Sequence, residues 1–476
     1  MNITLKSIEK KLLRIFVLIN AFALLLAPFC LGQNLSVGGF HTQYVCKDSS
    51  AMSWGYQCDG RLGRGGPTYY PGNVNISVPI VKVAAGYYHS LYLDSNGKVW
   101  ASGKSGNGQL GLGASTINIW TPQQISNLDS IIDISAGSQH SLFLRYDGTV
   151  YACGRNDSRQ LGDGSNVNRF TPVLVPGLSD IVKVSAGSDF SLFVKNDGSV
   201  YGAGNNGGGK MGLSMALSYS VVSPPVKIDS LSNIIYASAG ETHSLFVDMY
   251  GRAYFSGCNT DGKAGIGSSE NYYFLPEHIY TVDSIIQVEC KNDVSLFLRA
   301  DSTVWICGRY TNALVTGGSN FNSLSTATQI PSLSGVTEIG VGESHYVFEI
   351  GDSVLYSMGD NHDGKLGDGS TLGSYSPVLV TNLCGAPLVL PPNTASLDDY
   401  SINEIVIYPN PASNEIHIKV SNEKIGETYS LIDLFGKVVM TKAIDSNDFY
   451  IDIKRLTDGI YYFNVGSFKH KLLIQH

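Results

Sequence analysis

The chain has 476 residues, a length that suits two or three domains with a sizeable core. It holds 53 Gly, 27 Tyr and 18 Phe, a composition expected of many short strands joined by tight turns. A formal net charge of −8 argues against a nucleic-acid-binding surface.

The N-terminus reads as a signal peptide over residues 1–32. Lys6, Lys10, Lys11 and Arg14 precede an apolar run of 12 residues, Ile15 to Leu26, too short for an ordinary spanning helix. Gly32 offers a small residue for cleavage, leaving Gln33 first. Lipidation at Cys30 is opposed by the bulky Phe29 before it. Removing this segment leaves 28 basic against 39 acidic residues, a net charge of −11. No later stretch of 18 apolar residues exists, so no transmembrane span is expected in the mature chain. Export makes disulfides available to Cys46, Cys58, Cys153, Cys258, Cys290, Cys307 and Cys384. Seven is odd, so at least one stays unpaired or pairs between chains, and no CxxC spacing suggests zinc.

From residue 33 to 385 one phrase recurs, as in Ala85-Gly86-Tyr87-Tyr88-His89-Ser90-Leu91 and Ala136-Gly137-Ser138-Gln139-His140-Ser141-Leu142. Anchored on its Gly, the copies fall at Gly38, Gly86, Gly137, Gly187, Gly240, Lys291 and Gly342, spaced 48, 51, 50, 53, 51 and 51 residues apart. A second Gly follows each His position by 14 residues, then a loop such as Gly108-Gln109-Leu110-Gly111. Each unit reads as four strands, with Asp147-Gly148 and its equivalents as two-residue hairpin turns whose residues both need φ > 0. Strands like Ser-Leu-Phe-Leu suit burial on both faces, and radial packing of seven small sheets provides it. After Val380 the chain supplies no further inner strand, whereas Leu35-Ser36-Val37-Gly38 does, so the ring is expected to close by pairing its two ends. Cys46, Cys58 and Cys384 lie near this seam, and a Cys46–Cys384 disulfide would clasp it.

These phrases resemble the regulator-of-chromosome-condensation repeat over Val37 to about Leu383. The resemblance implies an all-β fold, a seven-bladed β-propeller. Residues 386–403, with three Pro, read as a linker. Residues 404–476 alternate Val, Ile and Tyr with polar residues, as a small antiparallel β-sandwich does. Their cues Tyr408-Pro409-Asn410-Pro411, Leu434-Phe435-Gly436-Lys437, Leu456 to Tyr462 (with Gly459 and Tyr461) and Lys469-His470-Lys471 resemble the type A C-terminal sorting domain of type IX secretion. That implies handling by the type IX machinery, passage through the periplasm to the outer-membrane surface or medium, and removal of the tail with anchoring to a surface glycolipid or release.

The remaining motifs have structural readings. Gly204 to Lys210, Gly257 to Lys263 and Gly359 to Lys365 match GxxxxGK, but Met211, Ala264 and Leu366 stand where a phosphate-binding loop needs Ser or Thr. His41, His89, His140, His243 and His345 recur at one repeat position, spread around a ring rather than converging on a metal, and suit buried polar groups or a neighbouring blade. Asp163-Gly164-Ser165 and Asp368-Gly369-Ser370 fit turn chemistry better than a calcium loop. Neither HExxH nor GxSxG occurs, so no catalytic residue, cofactor or metal site is assigned and the protein is expected not to be an enzyme. The sixth copy departs most, with Lys291 for Gly, Val294 for His and Asn312 to Gly318 for the regular loop. Tyr87, Tyr88, Tyr272 and Tyr273 are candidate interface anchors.

The expected function is therefore a secreted or cell-surface binding module for a protein or glycan. The family resemblance includes a secreted bacterial propeller that inhibits β-lactamase through one face. The alternative is a polysaccharide-acting enzyme whose site leaves no linear signature. Nucleotide exchange on a small GTPase is opposed by export and by unit spacings too even for a wedge-like insertion.

Overall fold

The second strand of each repeat carries apolar side chains on both faces, so it is satisfied only between two other sheets. Leu91, Tyr92, Leu142, Phe143, Leu192, Phe193, Leu245 and Phe246 are fully buried. The computed structural model describes residues 34–385 and 406–474, apart from 114–116, 214–216, 218–219, 310, 317–321, 352–353, 409–414, 421–423, 434–436, 457–458 and 466–467. It divides into two units, Met1–Leu390 and Pro391–His476. The signal peptide, the linker and Pro409, Asn410, Pro411 and Gly436 of the tail motif lie outside the described residues.

The first unit is a ring of seven four-stranded antiparallel sheets, each contiguous in sequence. Blade 1 spans 35–73, blade 2 80–124, blade 3 131–174, blade 4 181–227, blade 5 234–278, blade 6 285–329 and blade 7 336–379. The first strands surround the axis, and the fourth strands face outward. The turn between strands one and two and the loop between strands three and four share one face of the ring.

Two expectations are corrected. The ends do not pair as strands. Leu35–Val37 hydrogen-bonds to His41–Val45 of its own sheet, and Ser374–Leu379 pairs only with Val354–Gly359. A three-residue connection makes that local pairing cheaper in loop entropy than one across the whole chain. The ring closes by packing: Leu35, Val37, Tyr44, Met52 and Trp54 join Val347, Leu355, Val380 and Leu383 in one buried cluster. Polar contacts add to it. Trp54 Nε1 donates to Lys365 O at 3.0 Å, and Tyr44 OH donates to Glu349 Oε1 at 2.6 Å. A disulfide joins Cys46 to Cys384, 338 residues apart, with Cα atoms separated by 5.6 Å.

The hairpins are also not two-residue turns. Arg145 N donates to Thr149 O at 2.9 Å and Gly148 N to Arg145 O at 3.0 Å, a three-residue loop. Only Gly148, at φ 77°, is left-handed; Asp147 is not, and its Oδ1 instead accepts the N–H of Thr149 at 3.1 Å. This is the hairpin form in which a left-handed third residue makes a bulge.

The recurring Gly and His are one device. Each His Nε2 meets a hydroxyl on the next blade: His41–Ser90 at 2.8 Å, His89–Ser141 at 2.8 Å, His140–Ser191 at 2.9 Å, His243–Ser295 at 3.0 Å and, across the seam, His345–Thr42 at 3.2 Å. The four Ser hydroxyls donate to loop carbonyls of the preceding blade, Arg61, Gln109, Gln160 and Lys263, at 2.6–2.7 Å. A hydroxyl has one hydrogen, so each of these Ser must accept from His, which fixes the Nε2–H tautomer. The imidazole folds back over the Gly three residues earlier. A Cβ on Gly86 would stand 2.7 Å from Gly137 O and 2.8 Å from His89 Cε1. Gly86→Ala is therefore expected to destabilise the propeller by about 1–3 kcal/mol through overpacking, measured by chemical denaturation. In blade 6 Lys291 stands in place of this Gly and pairs with Val294 as the last residue of the inner strand.

The irregular loop of blade 6 forms a short helix, Thr311–Thr316, whose Ala313 and Leu314 are buried, with Leu314 in the cluster between blades 6 and 7. The second unit is a small antiparallel sandwich. One sheet holds Val406–Tyr408, Glu415–Lys419 and Asp448–Asp452; the other holds Val438–Ala443, Thr428–Asp433, Gly459–Val465 and Phe468–Ile474. Ile416, Ile418, Tyr429, Leu431, Ile451 and Phe463 fill the space between them. Tyr408 ends the first strand opposite His417. Gly459, Tyr461, Lys469 and Lys471 lie on the last two strands, where Gly459 faces Ile474 and Tyr461 faces Leu472. Among the described residues no helix is long and apolar enough to cross a membrane.

Candidate recognition face

The turns between first and second strands ring the mouth of a central cavity of about 120 Å³. Its wall is polar, but most of its groups hold neighbouring blades together. Ser36, Ser135, Ser185 and Ser238 each accept a backbone N–H from the following blade at 2.9–3.1 Å. Lys291 reaches past blade 7, and its Nζ donates to Val37 O at 3.2 Å. Burial lowers the pKa of Lys291, against the raising effect of Glu241, Glu289 and Glu343.

The lysines of the GxxxxGK runs each hold a carboxylate. Lys210 pairs with Asp189, Lys263 with Asp293 at 2.8 Å, and Lys365 with Asp360. The first two runs form single 3-10 turns and the third an irregular turn rather than helix N-termini, and the lysine side chains are committed to ion pairs within the fold. The Asp-Gly-Ser turns close on themselves. Asp163 takes Arg169 Nε at 2.7 Å and Asn156 Nδ2 at 2.9 Å, while Asp368 takes Asn361 Nδ2 at 3.0 Å. Among the described residues no three His, Cys, Asp or Glu are placed to hold a metal ion.

The five recurrent His are fully enclosed. Burial pushes the pKa of His89 and His345 down to about 3 and that of His140 to about 4, and lowers those of His41 and His243 well below the ordinary value. They are neutral latches, inaccessible from either face.

Between blades 1 and 2 the face changes character. The Arg61 guanidinium lies 5.0 Å from the Tyr56 ring centre and 5.4 Å from that of Tyr88, and Lys104 Nζ stands 4.8 Å over Tyr88. The order is Tyr56, Arg61, Tyr88, Lys104, an alternation of aromatic faces and cations. Phe40 meets Tyr87 edge-on at 5.0 Å and Tyr56 at 6.0 Å, and Tyr87 packs against Tyr88 at 4.7 Å. Arg61 is held by three bonds: to Cys58 O at 2.9 Å, Tyr87 O at 2.9 Å and Asp59 at 3.3 Å. Tyr87 OH donates to Glu343 Oε2 at 2.7 Å over Gly39, whose missing side chain leaves room for the ring. Tyr56 is 38 % exposed and Trp120, on the outer strand packed over Gly60, is 53 % exposed.

Tyr87 and Tyr88 thus belong to a cluster, joined by Phe40, Tyr56, Arg61 and Lys104, which no sequence motif announced. A signal existed: Arg61 replaces the Gln or Lys of the other loops. Tyr272 and Tyr273 lie elsewhere, on the outer strand of blade 5. Tyr273 packs edge-on to buried Phe255 at 5.9 Å, and Tyr272 stacks on Phe274 at 5.9 Å over Gly208.

Comparison with known proteins follows this division. Residues 32–246 match the RCC1-like domain model, and residues 406–475 match the secretion system C-terminal sorting domain. The E3 ubiquitin-protein ligase HERC2 of Homo sapiens is 27 % identical over 69 % of the chain, which spans only 7 % of that protein's length. The ultraviolet-B receptor UVR8 of Arabidopsis thaliana is 26 % identical over 73 % of the chain and 82 % of its own length. Human regulator of chromosome condensation is 26 % identical over 58 % of the chain and 71 % of its own length. Among solved structures, human WBSCR16 superposes with a TM-score of 0.63 at 22 % identity, covering 70 % of this chain and 94 % of that one. Yeast RCC1 (Prp20), solved with Kap60, gives 0.63 at 21 % identity over 71 % and 85 %. At these identities the superpositions speak for the fold.

Proposed function

From the premise that this chain joins a β-propeller of RCC1-like repeats to a C-terminal sorting domain of type IX secretion, we propose that the exported protein is a non-catalytic binding module. The sorting domain implies export by the type IX machinery to the outer-membrane surface or beyond. Outside the cell, the propeller takes a protein or glycan partner on the face that carries the Tyr56–Arg61–Tyr88–Lys104 stack. The tail is then cleaved, and the propeller is released or anchored on a surface glycolipid.

The stack carries this reading. Aromatic rings concentrate binding energy at interfaces, because they offer contact area at little entropy cost, and Arg61, itself only 1 % exposed, holds Tyr56 and Tyr88 in place. The cavity, by contrast, has its polar groups committed to neighbouring blades. A catalytic role would need a free acid, base or nucleophile in a cleft. The buried His are neutral, and burial drives the Cys153 and Cys307 thiol pKa values strongly upward. Guanine-nucleotide exchange on a small GTPase is not adopted, for the chain is exported and its repeats keep an even spacing.

A glycan array and a pull-down from cell-surface extract, both with the mature chain, test this. Tyr56→Ala and Trp120→Ala are each expected to weaken the captured interaction at least about tenfold, as truncating an interface anchor does, without shifting the unfolding midpoint. Undiminished binding by both variants would move the site to another face, and turnover of a bound glycan would replace the binding module with an enzyme.

A further inference from the structure

The face opposite the recognition stack holds a cavity of about 200 Å³ between blades 5 and 6. Tyr280, Thr281, Val282 and Asp283, from the connection joining the two blades, form one side. Arg299 and Trp305, on the second and third strands of blade 6, form the other. Every wall is fixed. Tyr280 is 69 % exposed, yet its OH donates to Ile266 O at 2.9 Å, so the ring is tethered at both ends. Thr281 Oγ1 donates to Gly265 O at 2.7 Å, and Val282 is buried. Asp283 grips Arg299, its backbone O accepting Nε at 3.1 Å and its Oδ1 accepting Nη2 at 2.7 Å. Arg299 Nη1 donates to Asp301 Oδ2 at 2.8 Å, and the guanidinium lies 5.8 Å from the Trp305 ring centre.

The fold does not need Tyr280. In the other blade connections its place is taken by Ser126, Pro176, Asp229 and Pro331, each two residues before a buried Leu. The ion pair also recurs without it: in blade 3 Arg145 meets Asp129 at 3.3 Å, with Ser126 where the ring would be. Among the described residues no ring or cation stacks on Tyr280, so its aromatic face stays open to the cavity.

An open aromatic face beside a fixed carboxylate matches the two sides of a sugar ring. A pyranose has an apolar C–H face and an edge of hydroxyl donors. Tyr280 offers the first an apolar wall, and Asp283, whose side chain is 79 % exposed, turns acceptor oxygens to the second. Arg299 is already matched by two carboxylates, Asp283 and Asp301, so an acidic sugar would meet excess negative charge. Walls held before the ligand arrives lose little freedom on binding it.

We propose that this cavity binds a neutral pyranose, stacked on Tyr280 and hydrogen-bonded to Asp283. The propeller thus carries a glycan site on the face turned away from the Tyr56–Arg61–Tyr88–Lys104 stack, and both faces can be occupied at once. This inference is independent of the recognition face.

The test uses the mature chain labelled with fluorotryptophan. Its four Trp are Trp54, Trp100, Trp120 and Trp305, and Trp305→Phe assigns the signal at the cavity. The methyl glycosides of glucose, galactose, mannose and N-acetylglucosamine are titrated in, with methyl glucuronide as the acidic counterpart. At least one neutral glycoside is expected to shift the Trp305 signal, and the glucuronide to bind more weakly than that glycoside. Tyr280→Ala is expected to weaken this binding about tenfold, the scale of one lost aromatic contact, at an unchanged unfolding midpoint. Tyr146→Ala removes an equally exposed ring from the blade 3 hairpin and is expected to change nothing. No Trp305 shift with any of the four neutral glycosides, a shift that survives Tyr280→Ala, or preference for the glucuronide overturns the proposal. A shift of Trp120 in place of Trp305 also overturns it, while upholding a glycan on the recognition face.

Discussion

Acidification from pH 7 towards pH 5 is expected to destabilise the propeller, because His41, His89, His140, His243 and His345 each take up a proton on unfolding. The imidazoles of His41, His89, His140 and His243 donate from Nε2 to a Ser hydroxyl of the next blade, Nε2 of His345 meets the Thr42 hydroxyl, and each Nδ1 is buried without a partner. Protonation would place a hydrogen on Nδ1 with nothing to receive it. The folded pKa values therefore lie low, about 3 for His89 and His345 and about 4 for His140, against about 6.5 in the unfolded chain. The unfolded state binds the extra protons, so stability is complete above pH 6.5 and falls as pH drops towards 4. Each His contributes about 1.4 kcal/mol per pH unit in that window. Glu241, Glu289 and Glu338, whose pKa values are raised by burial, work the other way. They take their proton in the folded state first and recover part of the loss above about pH 4.5. Denaturant titrations at half-unit pH steps measure the net slope. His140→Phe, which copies the natural Phe190 of blade 4, is expected to reduce the slope by about one proton. An unchanged slope in that variant would mean that His140 titrates normally in the fold.

Replacing Cys46 and Cys384 together by Ala is expected to lower propeller stability by about 2–5 kcal/mol. The bond spans 338 residues, and cross-links across long loops restrict the unfolded chain most. It is also the one covalent tie across the seam, since no strand of blade 7 enters the sheet of blade 1. Cys46 is 3 % exposed, so a reductant reaches the bond slowly in the folded protein, and the double variant is a better probe than added thiol. Cys58→Ala, at an exposed free thiol, is expected to be neutral and controls for thiol loss. Guanidinium unfolding of the three proteins under oxidising conditions measures both effects. Equal midpoints for the wild type and the double variant would assign the seam's strength wholly to its packed cluster.

The seven blades were legible because each repeat keeps Gly, His and the hairpin in one phase, and any insertion would have broken it. What was misread depended on partners rather than on residues. Leu35-Ser36-Val37 has the composition of an inner strand wherever it pairs, and only the three-residue link to His41 decides that it pairs at home. Asp-Gly signals a tight turn, yet loops of two and of three residues both use it. Lys291 and Val294, two departures in sequence, are partners in structure, paired at the end of the inner two strands of blade 6. The recognition face was half visible. Tyr87 and Tyr88 stood out as a pair, but Phe40, Tyr56, Arg61 and Lys104 come from different phases of the two repeats, and only the ring geometry brings them together.

The contiguity of every sheet also fixes an order of events. A blade needs only about 45 consecutive residues to complete its hydrogen-bond ladder, and its apolar faces are covered as each next blade is delivered, so assembly runs along the chain from blade to neighbouring blade. Blade 7 meets blade 1 last, and Cys384 reaches Cys46 only then. That thiol pairing therefore marks the end of assembly. A chain stalled or truncated on the way out would leave Cys46 reduced and its seam cluster open to solvent, a state that oxidative quality control can distinguish from a finished ring.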